Sequence, residues 1–452
     1  MIASRFESPL PAAPTPVRFP PIERTTLANG LSVWTIPHGA VPVVTVVLVL
    51  PRGTADDPAD RPGLVSLTGD LLDEGAGDRD AIALADAFAR LGAQLEIDVG
   101  PDATTIAVSA LARDLDACLS LVADIAQRPR MTPADVRRVR DLRISRLRQL
   151  SQTPGTVADR AFVAGIFGDH PYGHGALGTT ASLQALADDE PRAFWEHQYG
   201  PEGATIVVAG AVTPAEVTAG THRTFGDWRA NMRPRTWDER VALKSDPRIV
   251  LVDRPSAPQS ELRIGHVGTP RRTSSYHALV TLNAVLGGQF TSRINRALRE
   301  EQAVTYGARS SFDFRRVSGG FCCETSVQAD ATARAVADVL GQFEAIREDG
   351  NLGEAEQDRA KASLTRGYVR NFETAAQLAR AAAQLVTFGL DDDVFDRFVP
   401  QVEAVTVPVA AETARAFVRP ADTTVVVVGD AATVRGPLES LGHRIVQADP
   451  EF

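Results

Sequence analysis

Few side chains in this sequence are of the kinds that make or break bonds, and their grouping is informative. Arg299 and Tyr306 stand seven residues apart, a guanidinium and a phenol. A cation with an O–H donor suits the task of holding a substrate and the negative charge that develops on a carbonyl oxygen under attack. By spacing alone, the pair reads first as an arginine in a surface ion pair and a tyrosine half-buried on a strand, and the surrounding signature turns the reading towards function. Asp70, Asp73 and Glu74 form a carboxylate group. Oxygen-only ligands suit magnesium or calcium better than zinc, and with Leu64, Leu67 and Leu71 facing a core the segment reads as the solvated end of a helix. His170 and His174 are four apart, but Pro171 and Gly173 between them oppose a continuous helix, which assigns them to a turn and to packing. Cys118, Cys322 and Cys323 lack the paired spacings of a zinc or redox motif and read as packing residues in a reducing compartment. The GHVG run from Gly265 to Gly268 has too few glycines, in the wrong order, for a phosphate loop.

The elements that must position these groups occur twice. Leu64-Val65-Ser66-Leu67, opening an apolar helix, is matched by Leu279-Val280-Thr281-Leu282. The helical stripe Leu115, Cys118, Leu119, Val122 and Ile125 is matched by Val336, Val339, Leu340, Phe343 and Ile346. Pro201 leads through Ala204–Val208 to Gly210, and Pro420 leads through Thr423–Val428 to Gly429. Three matches in the same order, at a nearly constant offset of about 215–221 residues, define an internal duplication. Leu95, Ile97 and Val99 alternate on one strand, Ile106 and Val108 on a second, and Gly100-Pro101-Asp102 turns between them, which predicts a hairpin. Thr132 and Pro133 mark a helix start as N-cap and first helical residue. Hairpins followed by blocks of helices predict an α+β fold of two homologous halves, each an antiparallel-rich sheet with helices packed on one face.

At 452 residues the chain exceeds the roughly 250–300 at which one core stops growing. The expected division is an N-terminal extension over 1–20, a first domain over 21–230, a linker over 231–247 rich in Arg, Pro and Trp, and a second domain over 248–452. A composition of 44% hydrophobic and 23% charged residues is that of a globular protein. The net charge of -10 opposes broad attraction to nucleic acid or anionic lipid. Arg137, Arg138, Arg140, Arg143, Arg146 and Arg148 go round their helix and read as a solvated or chamber-lining surface. No basic start with an apolar core precedes the first domain, which points to the cytoplasm, or to the periplasm if a signal has been trimmed. The longest strongly apolar stretch, Val43 to Leu50, is far short of the ~20 residues of a spanning helix, so no membrane anchor is expected.

Gly287-Gly288-Gln289-Phe290-Thr291-Ser292-Arg293, then Leu298-Arg299-Glu300-Glu301, then Tyr306-Gly307, resembles the second-domain signature of the pitrilysin/insulinase family of zinc metallopeptidases. The resemblance extends to Thr26–Leu31, to Phe167–Tyr172 ahead of Leu177-Gly178-Thr179, and to Tyr199-Gly200-Pro201, covering about residues 20 to 440. In active members the helix opening the first half carries H-x-x-E-H, two zinc ligands and a general base. Here the matching stretch reads Ser66-Leu67-Thr68-Gly69-Asp70, with no imidazole and no side chain at the position of the base. The third ligand, a glutamate on a later helix, should fall near Ser145-Arg146, where a guanidinium would repel a cation. The resemblance implies a clam-like half of a peptidase chamber that holds no metal or other cofactor itself. It implies further that Arg299 and Tyr306 bind substrate and stabilise the oxyanion at the zinc of a homologous partner in a heterodimer. The substrate would be a peptide, paired by strand addition. The alternative is an inert structural or assembly subunit of a larger complex, with the signature a relic of the fold.

Overall fold

The computed structural model describes residues 16–39, 41–229 and 247–449. The expected linker, all but its last residue, and most of the N-terminal extension lie outside the described residues. The first sheet contains β1 (Glu23–Thr26), β2 (Ser32–Pro37), β3 (Val43–Leu50), β4 (Gln94–Val99), β5 (Thr104–Leu111) and β6 (Thr205–Gly210), in the order β1-β2-β6-β3-β5-β4. The second contains β7 (Arg248–Asp253), β8 (Gln259–Val267), β9 (Ala308–Asp313), β10 (Gly320–Gln328), β11 (Thr424–Gly429) and β12 (Ile445–Gln447), in the order β9-β10-β8-β11-β7-β12. In the first sheet β2 runs parallel to β6 and the other pairings are antiparallel; in the second β7 runs parallel to β11 and to β12. Strands β2 to β6 thus repeat as β7 to β11, each with the same neighbours, so the duplication read from three sequence matches is a duplication of topology. The predicted hairpin is β4 and β5, with Ile97 opposite Ile106.

Burial explains the strand sequences. The unbroken apolar run of β3 lies between β6 and β5 and is buried at seven of its eight residues, as a strand covered on both faces requires. One face of each sheet is covered by its own half, where the stripes of the Leu115–Gln127 and Thr332–Ala345 helices enter the two main cores.

The other face is covered by the opposite half. The Pro154–Phe167 helix lays Val157, Ala158, Ala161 and Phe162 on Val250, Val252, Val426 and Val428 of the second sheet. Its repeat, the Ala375–Phe388 helix, lays Leu378, Ala379, Ala382 and Ala383 on Val47, Val49, Val207 and Ala209 of the first. Each large apolar side chain buried in this way is worth about 1.5–3 kcal/mol. The expectation of helices on one sheet face holds for each half's own helices and is completed by this reciprocal exchange. Polar contacts reinforce it: Asp102 accepts from the Tyr172 hydroxyl and from the Arg316 backbone N–H at 2.9 Å. No helix among the described residues is long and apolar enough to cross a membrane.

Candidate functional site

Strand β9 is an edge of the second sheet, and a groove of about 480 Å³ runs beside it. The glycine-rich signature builds one wall. Gly287 allows β9 to come close, since a Cβ there would meet Ser310 Oγ at 2.3 Å. The approach is fixed by Asn283, which donates to the Ser310 carbonyl at 2.9 Å and accepts from its hydroxyl at 2.7 Å. Gly288 turns back so tightly that a Cβ would lie 2.7 Å from Asn283 Nδ2. Asn295 closes the loop, donating to the Phe290 carbonyl and accepting from the Ala308 N–H at 3.0 Å. Arg293, nearly buried, pairs with Glu356 and donates to the Asn351 carbonyl, anchoring the loop to the Glu354–Thr365 helix. Across the floor, Arg309 of β9 is opposite Glu324 of β10, which is opposite Arg263 of β8, a ladder of alternating charge.

This scaffold presents both residues of the predicted pair. Arg299 lies on a π-helical turn, Arg296–Glu301, the kind of irregularity that recurs at functional sites. Its guanidinium stacks over the ring of Phe290, 3.9 Å from the centroid, and Phe290 lines the groove. Tyr306 projects from the loop between that turn and β9, 94% exposed, also on the groove. The loop is held by Thr305, whose hydroxyl donates to the Gly307 carbonyl at 2.9 Å, and by Thr325, which donates to the same oxygen at 3.0 Å. A cation and an unencumbered phenol therefore flank an open sheet edge, an arrangement suited to an extended peptide.

The other predicted position has the opposite character. Ser66 and Asp70 lie on the Leu64–Asp70 helix, where Leu64, Leu67 and Leu71 face the core as expected. The cation facing them is Arg143, not Arg146. Arg143 is buried on the Pro133–Leu150 helix; its guanidinium donates to the Ser66 hydroxyl, to the Ser66 carbonyl at 2.9 Å and to the Asp70 carboxylate. Arg146 is exposed on the same helix. At the position of the base, a Cβ on Gly69 would meet Val99 Cγ2 at 2.4 Å. One hydroxyl and one carboxylate, both bound to a guanidinium, do not fit zinc.

The remaining side chains fall into structural roles. Glu74 pairs with Arg138, while Arg137 and Arg140 pair with Asp188, so most of the arginine run is neutralised locally. His170 sits in a turn, accepting from the Tyr172 N–H at 3.1 Å, and its ring packs 4.9 Å from that of Tyr172. His174 Nε2 lies 3.7 Å from Asp57 Oδ2. Asp57, which no sequence pattern singles out, accepts from the N–H groups of Gly63 and Val65 at 2.7 Å each, and burial raises its carboxyl to about 7. The cysteines are free thiols, with Cys118 and Cys323 buried. Among the described residues, no group of three or more His, Cys, Asp or Glu side chains is placed to hold a metal.

A duplicated α+β chain, its sheets covered reciprocally and its signature loop at an open sheet edge, defines a class of peptidase-fold proteins. Residues 34–180 match the family model described as insulinase (peptidase family M16), and residues 187–364 match that of the peptidase M16 inactive domain. The chain belongs to the M16, or pitrilysin/insulinase, family. A Mycobacterium tuberculosis relative named an uncharacterised zinc protease is 29% identical over 406 residues, 88% of this chain and 90% of that protein. One from Streptomyces coelicolor, named likewise, is 25% identical over 397 residues, covering 85% and 84%. Among solved structures, a peptidase M16 inactive domain from Pseudomonas fluorescens superposes with TM-score 0.85 at 20% identity, covering 91% of this chain and 98% of the other. A Helicobacter pylori protease gives 0.82 at 18%, covering 90% and 99%.

Proposed function

We propose that this chain is the non-zinc-binding subunit of a two-chain zinc oligopeptidase. It offers Arg299 and Tyr306 to a peptide held along β9, and a homologous partner carrying H-x-x-E-H supplies the metal. The observation that carries the reading is the contrast between two positions in one chain. At the motif position, a buried guanidinium occupies the side-chain oxygens of Ser66 and Asp70, which accept from it. At the second-sheet edge, the signature loop holds an exposed phenol and an arginine beside an open groove.

In the assembled site the roles follow from chemistry. Attack on a peptide carbonyl develops charge on its oxygen, which a phenol O–H stabilises by donating a hydrogen bond. Arg299, its planar guanidinium oriented by the stack on Phe290, binds a carbonyl or carboxylate of the substrate. The metal's contribution, activation of water, belongs to the partner.

Reconstitution tests this. The chain alone should lack peptidase activity and bind no stoichiometric zinc by metal analysis, and mixing with a zinc-motif homologue from the same genome should give a stable complex that cleaves peptides. A tightly held zinc in the isolated chain would overturn the reading. A complex built without any zinc-motif chain would favour the assembly-subunit alternative.

A further inference from the structure

Arg271 lies away from the groove described above and has no role in it. It is 9% exposed, and among the described residues no carboxylate, carbonyl or hydroxyl accepts from its guanidinium. Its contact is a stack over the Tyr276 ring, 3.5 Å from the centroid. A desolvated cation without a counter-ion is costly, and a ring face offsets only part of that cost. The guanidinium reaches two adjoining cavities. The smaller, about 310 Å³, also holds Arg272 and His277, whose Nε2 is buried with no hydrogen-bond partner. Arg397 in the same cavity is already neutralised by Asp391 and Asp393. The larger, about 630 Å³, is walled by Tyr276, Tyr368, Phe372, Phe395 and Phe398. The smaller cavity also meets the start of the Tyr276–Leu286 helix, whose N-cap Ser275 makes no side-chain cap.

We infer that Arg271 and the aromatic cavity form a binding site for the C-terminal carboxylate of a peptide ending in an aromatic or large aliphatic residue. The carboxylate accepts both forks of the Arg271 guanidinium, the geometry in which arginine binds carboxylates best. Its second oxygen also accepts from the His277 Nε2–H of the neutral imidazole. The last side chain fills the aromatic cavity. The site adjoins the groove, because Gln289 on the groove wall donates to Ser363 on the wall of the aromatic cavity. The inference rests on the peptide-handling reading, and gives that reading a preference for free carboxyl ends.

Calorimetric titration of the full chain with N-acetylphenylalanine, its C-terminal amide and inorganic phosphate tests it without any partner or turnover. The acid should bind, and the amide and phosphate should each bind at least tenfold more weakly. Arg271→Gln should cost the acid at least tenfold, with Arg148→Ala, on an exposed helix face, unchanged. Acid and amide binding equally, or not at all, overturns the inference, as does phosphate matching the acid. The acid–amide comparison uses the unaltered protein, so it stands even if Arg271→Gln fails to fold. A chain that binds the acid yet activates no partner keeps this site and loses the proposed subunit role; activation without acid binding does the reverse.

Discussion

Arg143 and Asp70 form a bond of unequal partners: the arginine side chain is 2% exposed and the aspartate 52%. The buried cation belongs to the Pro133–Leu150 helix and the half-solvated anion to the Leu64–Asp70 helix, so the pair ties two elements that family members with H-x-x-E-H join through metal. Solvent reaches the anion and screens it, which leaves the fit of the arginine as the main contribution.

Replacing Arg143 by Met keeps much of the volume and deletes every hydrogen bond to Ser66 and Asp70. Asp70 can rehydrate, so the loss should fall below that of a fully buried broken pair, about 2 kcal/mol. The urea midpoint should drop accordingly, and Arg146→Met should leave it in place. Equal midpoints for the two variants would contradict the assignment.

Gly69 and Val99 compete for one volume. Gly69→Ala should destabilise by about 1–3 kcal/mol through overpacking. Val99→Ala opens that space, so the double variant should be more stable than the two single losses predict, by at least about 0.5 kcal/mol. Strict additivity in thermal unfolding would show that the contact carries no strain.

Tyr306 is exposed and Arg299 half-buried, and their loss should hardly move the melting temperature. In the reconstituted complex, Tyr306→Phe or Arg299→Ala should lower peptide turnover by roughly ten- to a thousandfold, the scale of losing one oxyanion donor. Phe290→Ala, which removes the stacking partner of Arg299, should weaken substrate binding while leaving the tyrosine effect intact. Wild-type turnover in both site variants would end the catalytic role.

His266 is fully buried on β8, and burial lowers its pKa from 6.5 to about 4. Its contacts suit the neutral ring: Nε2 accepts from the Arg419 N–H at 3.0 Å, and Nδ1 donates to the Val267 carbonyl at 2.9 Å. Between pH 6.5 and 4 the unfolded chain holds the extra proton and the folded chain does not, so this residue's contribution is present above pH 6.5 and lost on acidification towards 4. The loss is about 3 kcal/mol. His277 shifts the same way, so the comparison needed is with His266→Gln, whose stability should fall less steeply across that window. Parallel pH profiles for the two proteins would count against it.

The duplication, the hairpin and the helix start were legible because each rests on local pattern. Thr132 accepts from Asp135 N–H at 3.2 Å as an N-cap should, and Pro133 begins the helix. The reciprocal helix exchange was not legible: Val157, Ala161 and Phe162 announce an apolar face, but nothing local says which sheet it meets. The solvated or chamber-lining surface expected of the arginine run does not extend to Arg143, which is buried, and its spacing marks it out. It stands seven after Val136, four after Val139 and four before Leu147, on the buried stripe of its helix, whereas Arg146, seven after Val139, lies at the margin of that stripe and is exposed in the structure. A charge on an apolar stripe signals a buried partner. Asp57 gave no comparable signal, because the backbone donors it meets belong to a turn whose shape the sequence does not spell out.

A helix pair fastened by a guanidinium has one property that a metal-linked pair lacks. Chelators cannot strip it, and scarcity of transition ions in the surroundings leaves that joint untouched.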